Sequence, residues 1–224
     1  MISPFVFIAP ALAIPIGVLG ISVYRDKRYR EAVAEYCQMR GYQFEPRRPG
    51  AEQALADSFQ LFGRGHNRRW GPTVSGQVGG RPFTAFEYTY VTGGGKNSQR
   101  HRLAMMLWDV PGTALPRFSL GPEGFFNRIA QRFGVQDFDF DEDEEFSRAY
   151  QLQGDDEAAV RKLFTAARRA FLLAPGVDGS ASERYHLAGT GTRLLWWRNG
   201  RLRVPDAFDQ FIADGDRVRR LFTG

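Results

Sequence analysis

Seven carboxylates crowd the eleven residues QDFDFDEDEEF at 136–146, with Phe138 and Phe140 set between the first three, Asp137, Asp139 and Asp141. Acids at that density could hold a divalent cation or supply a general acid–base pair. An EF-hand register puts the three at loop positions one, three and five. Position six is then Glu142 where glycine is required, and position twelve is Arg148 where glutamate is required. In an extended chain the three acids share one face and the two phenylalanines the other. Acids about 7 Å apart along a strand converge on one ion only with help from elsewhere. The stretch reads first as a solvated edge pinned by two rings, second as a partner for basic residues, and third as a cation site. Asp137, Asp139 and Asp141 are the candidate ligands of that third reading.

Other chemistry is sparse. The run GGGKNS at 93–98 invites comparison with a phosphate loop, but Tyr90 stands where the first Walker glycine belongs and Asn97 where Ser or Thr belongs. A mobile hairpin tip fits it better. GRGHNR (63–68) and GTGTRL (189–194) lack the third glycine of a dinucleotide loop and read as turns. The chain has no Gly-x-Ser-x-Gly, Cys-x-x-Cys or His-Glu-x-x-His. The single cysteine, Cys37, excludes an intramolecular disulfide and reads as a small packing residue. His66, His101 and His186 have no metal-ligand spacing, although His101 and His186 lie in predicted strands and could meet in space. No catalytic residue and no cofactor is assigned.

Charge is unevenly distributed. From Ser58 to Arg102 there are seven basic residues (Arg64, Arg68, Arg69, Arg81, Lys96, Arg100 and Arg102) and one acid, Glu87. From Asp137 to Glu157 there are ten acids and Arg148 alone. These two regions could attract each other across the fold, though exposed pairs contribute little. Nucleic acid is not expected as a partner, because the acidic loop would repel the same ligand that the basic stretch attracts.

The elements that must position these groups follow from periodicity. YREAVAEYCQMRGY reads as a helix stopped by Gly41, and AEQALADSFQLF as a second, shorter one. GRGHNRRWGP reads as a loop. TVSGQVGGRPFTAFEYTYV reads as two strands joined at Gly79-Gly80, with Phe83, Ala85, Glu87 and Thr89 on one face and Phe86, Tyr88 and Tyr90 on the other. RHRLAMMLWDV and PRFSLGPEG follow as strands, FFNRIAQRFG as a helix and FSRAYQLQG as a strand. DDEAAVRKLFTAARRAFLLAPG reads as one dipole-matched helix, YHLAGTGTRLLWWRNGRLRV as strands with an Asn199-Gly200 turn, and PDAFDQFIADGDRVRRLF as a closing helix. Hairpin links dominate, so the expected class is α+β, an antiparallel sheet packed with helices.

Residues 2–24 carry no charged side chain and as a helix would span about 34 Å, enough for a hydrocarbon core of about 30 Å. Arg25, Lys27, Arg28 and Arg30 follow directly. That pattern predicts a transmembrane anchor over 1–24, a juxtamembrane basic helix and linker over 25–49, and a cytoplasmic α+β domain over 50–224. The positive-inside rule places the chain single-pass in the inner membrane, with those four basic residues on the membrane surface.

Two stretches, PRFSLGPEG (116–124) and the run from Gln136 to Phe164, resemble a family of uncharacterised bacterial membrane-anchored proteins, a domain of unknown function. The matching residues are Asp137, Asp139 and Phe140; Phe146, Arg148, Tyr150 and Leu152; Gly154, Asp156 and Glu157; and Leu194, Leu195, Arg198, Gly200 and Arg201. The resemblance implies a fold and a membrane habit but no activity. The expected function is therefore a membrane-tethered, non-enzymatic interaction or scaffolding module, partnered by the lipid bilayer and by a protein. The alternative is an anchored hydrolase or transferase using the acidic cluster with a divalent cation.

Overall fold

A computed structural model of the chain describes residues 8–47, 55–124, 136–174, 184–204 and 206–223, with side chains from Tyr24 onward. The expected helix FFNRIAQRFG and the first four residues of AEQALADSFQLF lie outside the described residues; of the rest, only residues 55–56 are α-helical and Gln60–Gly63 forms a 3-10 turn. The first element is one helix, α1 (Ile8–Arg40). In its second half Tyr29, Val33, Tyr36 and Cys37 recur at helical spacing and turn one face to the domain, where Val33, Tyr36 and Cys37 are buried. Gly41, at φ +68°, ends the helix, and Tyr42 N–H donates to Cys37 O at 2.8 Å.

The strands are β1 (Gln43–Glu45), β2 (His66–Val78), β3 (Arg81–Thr92), β4 (Gln99–Asp109), β5 (Leu115–Pro122), β6 (Gln136–Asp137), β7 (Tyr150–Gly154), β8 (His186–Gly191) and β9 (Arg193–Asn199). They form one sheet in the order β1-β2-β3-β4-β9-β8-β5-β7-β6, and each neighbouring pair is antiparallel. The expected α+β class with an antiparallel sheet is what the structure shows. The Gly79-Gly80 turn joins β2 to β3 with both residues at positive φ (56° and 71°), the backbone that a two-residue hairpin requires. Both edge strands are short, which limits edge-to-edge pairing.

Alternation along the strands builds a core on each face. Phe83, Ala85, Met106, Trp108, Leu194 and Trp196 point to the face covered by α1 and by α5 (Phe208–Thr223). Phe86, Tyr88, Tyr90, Leu103, Met105 and Trp197 point to the other, which is closed by Phe59, Leu61 and Phe62. Trp70 stacks on Phe86 there, with ring centroids 3.7 Å apart.

Four expectations about elements need correction. GRGHNRRWGP is mostly strand: β2 starts at His66 and reaches its partner across two register irregularities, between His66 and Arg69 and between Trp70 and Thr73. FSRAYQLQG begins as a short helix, α2 (Glu144–Ala149), because the Asp143 carboxylate caps it by accepting from Phe146 N–H at 3.2 Å. The long helix at 155–174 is two helices, α3 (Glu157–Leu163) and α4 (Ala166–Leu173), each with its own cap, Asp156 and Thr165. Arg168 and Arg169 donate to the carbonyls of Leu163 and Phe164, at 2.5 and 2.8 Å, which satisfies acceptors left open at the break. Asn199-Gly200 does not join two strands: it ends β9, and Gly200 N–H donates to Arg102 O at 2.8 Å.

The transmembrane expectation is corrected as well. The proposed span falls largely on residues 1–23, whose side chains lie outside the described residues, and among the described residues no helix is long and apolar enough to cross a membrane. The described half of α1 is instead a charged helix that packs one face on the sheet. The anchor, the single-pass inner-membrane location and the bilayer as partner are thus not supported.

Gly215 lies inside α5, where glycine ordinarily weakens a helix. A Cβ there would approach Met106 Sδ to 2.5 Å and the Trp196 ring to 3.1 Å, so the helix sits on the sheet only because no side chain intervenes. Gly215→Val is expected to destabilise the protein by about 2 kcal/mol, lowering Tm by about 4–8 °C in a thermal melt. An unchanged or raised Tm would show that this contact is not close.

Candidate functional site

At one end of the sheet the α1-covered face is left open, and a cleft of about 520 Å³ lies there. One α1 stripe supplies Asp26, Tyr29 and Arg30, spaced to share a side of the helix. Pro46 and Arg47 come from just after β1, and Arg68, Arg69, Trp70, Gly71 and Pro72 from the irregular part of β2. β3 contributes Glu87 and Thr89, β4 contributes Arg102, and Arg201 follows β9. Six arginines thus face two acids across one cleft.

Glu87 forms the floor. It occupies the same face of β3 as Phe83 and Ala85 and is only 5% exposed. A carboxylate buried that deeply must be matched by donors. Its Oε1 accepts from Tyr29 Oη at 2.9 Å and from Leu202 N–H at 3.1 Å, and Arg201 Nε lies 3.6 Å away. Tyr29 Oη also lies 2.7 Å from Leu202 O. Burial, reinforced by the Glu87 charge, pushes the Tyr29 hydroxyl far above its usual range, while Arg201 and Arg102 act in the opposite direction. Tyr29 therefore stays protonated and remains a donor at any physiological pH. Across the floor, Gly71 leaves room for the carboxylate side chain: a Cβ there would stand 3.0 Å from Glu87 Cβ.

The arginines differ in how they are held. The Arg201 guanidinium lies 4.7 Å from the Tyr29 ring centroid and 3.4 Å from Asp26. Arg30 pairs with Asp26 at 3.2 Å, and Arg68 donates to Phe62 O at 2.8 Å. Arg47, Arg69 and Arg102 have no acidic partner among the described residues. Three cations with no acidic partner among the described residues, gathered around one cleft, attract an anion, less strongly as salt rises.

Placement of the sequence-derived candidates is mixed. Of the four residues expected at a membrane surface, Arg25 and Arg28 are exposed on α1, Lys27 pairs with Glu31 at 3.8 Å, and Arg30 enters the cleft. Phe138 and Phe140 are buried while Asp137, Asp139 and Asp141 are exposed, the alternation expected of an edge. Asp137 accepts from the side-chain amides of Gln151 and Gln153 at 2.9 and 2.7 Å. The acidic stretch does pair with a cation, but not one from residues 58–102: Glu142 and Asp143 meet Arg169 at 3.3 and 2.7 Å. No group of three or more His, Cys, Asp or Glu among the described residues could hold a metal. The alternative of a cation-dependent hydrolase or transferase using this cluster is corrected accordingly.

Lys96 sits in an exposed hairpin tip, not in a phosphate loop. His101 stacks on Tyr90 and bonds Thr92 Oγ1 at 2.8 Å. His186 pairs with Trp197, two strands over and four rungs along from His101, about 17 Å away by ladder geometry. The two cannot share an ion. Burial lowers the His186 pKa to about 4, so it is neutral at pH 7. Burial likewise raises the Cys37 thiol to about 11 and leaves it unreactive. Sequence reasoning missed the cleft, although a signal was present: Glu87 is the lone acid of a basic segment and falls on a core face.

No protein-family model and no curated protein matches this chain. Its fold is similar to that of the mycobacterial trehalose monomycolate transport factor A, with a TM-score of 0.55 at 11% identity over 88% of this chain and 91% of that one. At that identity the likeness is one of fold. The resemblance to uncharacterised membrane-anchored proteins is not supported, and the residues that carry it do structural work. Phe146, Tyr150, Leu152, Leu194 and Leu195 are buried, Asp156 caps α3, and Arg198 lies 4.8 Å from the Phe211 ring centroid. The membrane-tethered scaffold inferred from it is likewise not supported.

Asp143 caps α2 and meets Arg169, and the Arg169 hydrogen bond, with Phe146 N–H helping, holds its carboxyl below the ordinary 3.8. A depressed folded pKa stabilises above the unfolded value and stops doing so as pH falls through the folded one. Asp143→Asn keeps the cap and removes the charge, so it is expected to lose about 1–2 kcal/mol at pH 7. In urea melts run from pH 7 downward, the difference from the parent protein should close below pH 3.8. A pH-independent difference would contradict the pairing.

Proposed function

We propose that this chain is a binding protein for a small anionic ligand, held by the arginines of the cleft above Glu87. The supporting observation is the set Arg47, Arg69 and Arg102, which carry no acidic partner among the described residues. Like charges gathered without neutralisation lower stability, an arrangement that makes physical sense where a ligand supplies the missing charge. The planar guanidinium fork suits phosphate and carboxylate oxygens, which it binds through paired N–H groups. The Tyr29–Glu87–Leu202 contacts and the Arg201 guanidinium over the Tyr29 ring keep one wall in place before any ligand arrives. The fold neighbour is named a transport factor, and a binding role is in keeping with that word, but the neighbour's own cargo lends no support to a ligand for this chain.

The test is thermal melting with phosphate against chloride at matched ionic strength, on the parent protein and on Arg69→Gln/Arg102→Gln. Phosphate at about a hundredfold excess over Kd should add about 2.7 kcal/mol, a rise of about 5–11 °C for a chain of this size. Excluded salts stabilise proteins generally, so the specific part is the rise that the double variant loses. Without ligand the double variant should melt no lower than the parent, since it relieves repulsion. An equal rise in both proteins would refute the reading.

A further inference from the structure

The cleft is one end of a longer basic track. A second hollow, of about 120 Å³, is lined by Asn67, Arg69, Thr89, Tyr90, Val91, Arg100 and Arg102, and so shares Arg69, Thr89 and Arg102 with the first. Strand register explains the continuity. Arg69 pairs with Thr89 and Thr89 with Arg102, so two guanidinium side chains flank a threonine on adjacent strands of one face. Two residues further along, Val91 pairs with Arg100 on that same face. The second row lies about 7 Å beyond the first. Arg100, like Arg69 and Arg102, has no acidic partner among the described residues.

We infer that the ligand is a linear oligophosphate, whose charged chain runs from the Glu87 cleft past the Arg69–Thr89–Arg102 row towards Arg100. This rests on the anion-binding reading of the cleft and extends it. A single-stranded nucleic acid would present the same charge, but it gains its sequence-tolerant affinity from bases stacked on open aromatic rings. The three rings beside the track are already engaged: Trp70 on Phe86 at 3.7 Å, Tyr90 on His101 at 4.7 Å, and Tyr29 beneath Arg201 at 4.7 Å. Among the described residues beside the track, bases have no free ring to stack on, whereas a bare phosphate chain needs no stacking surface.

Isothermal titration calorimetry at fixed ionic strength, with orthophosphate, pyrophosphate, tripolyphosphate and a short oligothymidylate, tests the inference on the full chain. Affinity should rise at least tenfold from orthophosphate to tripolyphosphate. Arg100→Gln should cut the tripolyphosphate-to-orthophosphate affinity ratio at least fivefold, whereas Arg102→Gln should weaken both ligands. Circular dichroism melts confirm that the variants fold. Equal affinity for one and three phosphates, or loss of both in equal measure with Arg100→Gln, overturns the track but leaves the cleft as an anion site. Oligothymidylate binding tighter than tripolyphosphate overturns the ligand class. If no phosphate of any length binds, the cleft reading falls and the track with it.

Discussion

A buried carboxylate sets the terms for much of this structure. Glu87 projects from β3, the third of nine strands in the sheet, into the side covered by α1, where an unmatched charge would be costly. Its donors come from both ends of the chain: Tyr29 on the first helix and Leu202 beyond the last strand. One oxygen therefore ties α1 and the β9–α5 connection to β3. Removing either donor leaves part of the charge unanswered. Through Arg201, the same carboxylate fixes a cation at the rim, so the contact that closes the fold also shapes the cleft.

Segregation of charge follows from what each cluster meets. Within 137–145, Asp137 meets glutamine amides on β7, Asp143 caps α2, Glu144 pairs with Arg148, and Glu142 and Asp143 meet Arg169 from α4. These acids lie beside β6 and β7, at the opposite edge of the sheet from the basic strands β2–β4. Among the described residues, the acids that line the cleft with the arginines of β2 and β4 are Glu87 and Asp26, and both already hold partners.

Much of the sheet is legible in the sequence because its signals are local. The Gly79-Gly80 turn, the alternation through β3 and β4, and the apolar stripe of α5 need no knowledge of distant residues. The start of β2 is not legible, since Gly, Asn and Pro in GRGHNRRWGP favour a loop and only pairing with β3 holds that stretch in the ladder. The break at Phe164 escapes detection for a similar reason: Arg168 and Arg169 look like dipole-matching residues at a helix end, yet they turn back to cap the preceding helix. The charge-free N-terminal run read as an anchor, whereas the described part of α1 packs against the sheet. The cleft depends on contacts such as Tyr29 with Leu202, 173 positions apart, which no periodicity reveals. Only the oddity of Glu87, a lone acid on a core face, pointed toward it.

The claim on which function rests is that the arginines above Glu87 collect an anion. Anomalous diffraction from crystals soaked in tungstate, an electron-dense oxyanion with the shape of phosphate, tests it most directly. Tungsten density is expected in the cleft, within reach of the Arg69, Arg102 and Arg201 guanidinium groups. Density confined to other parts of the surface, with the cleft empty, would contradict it.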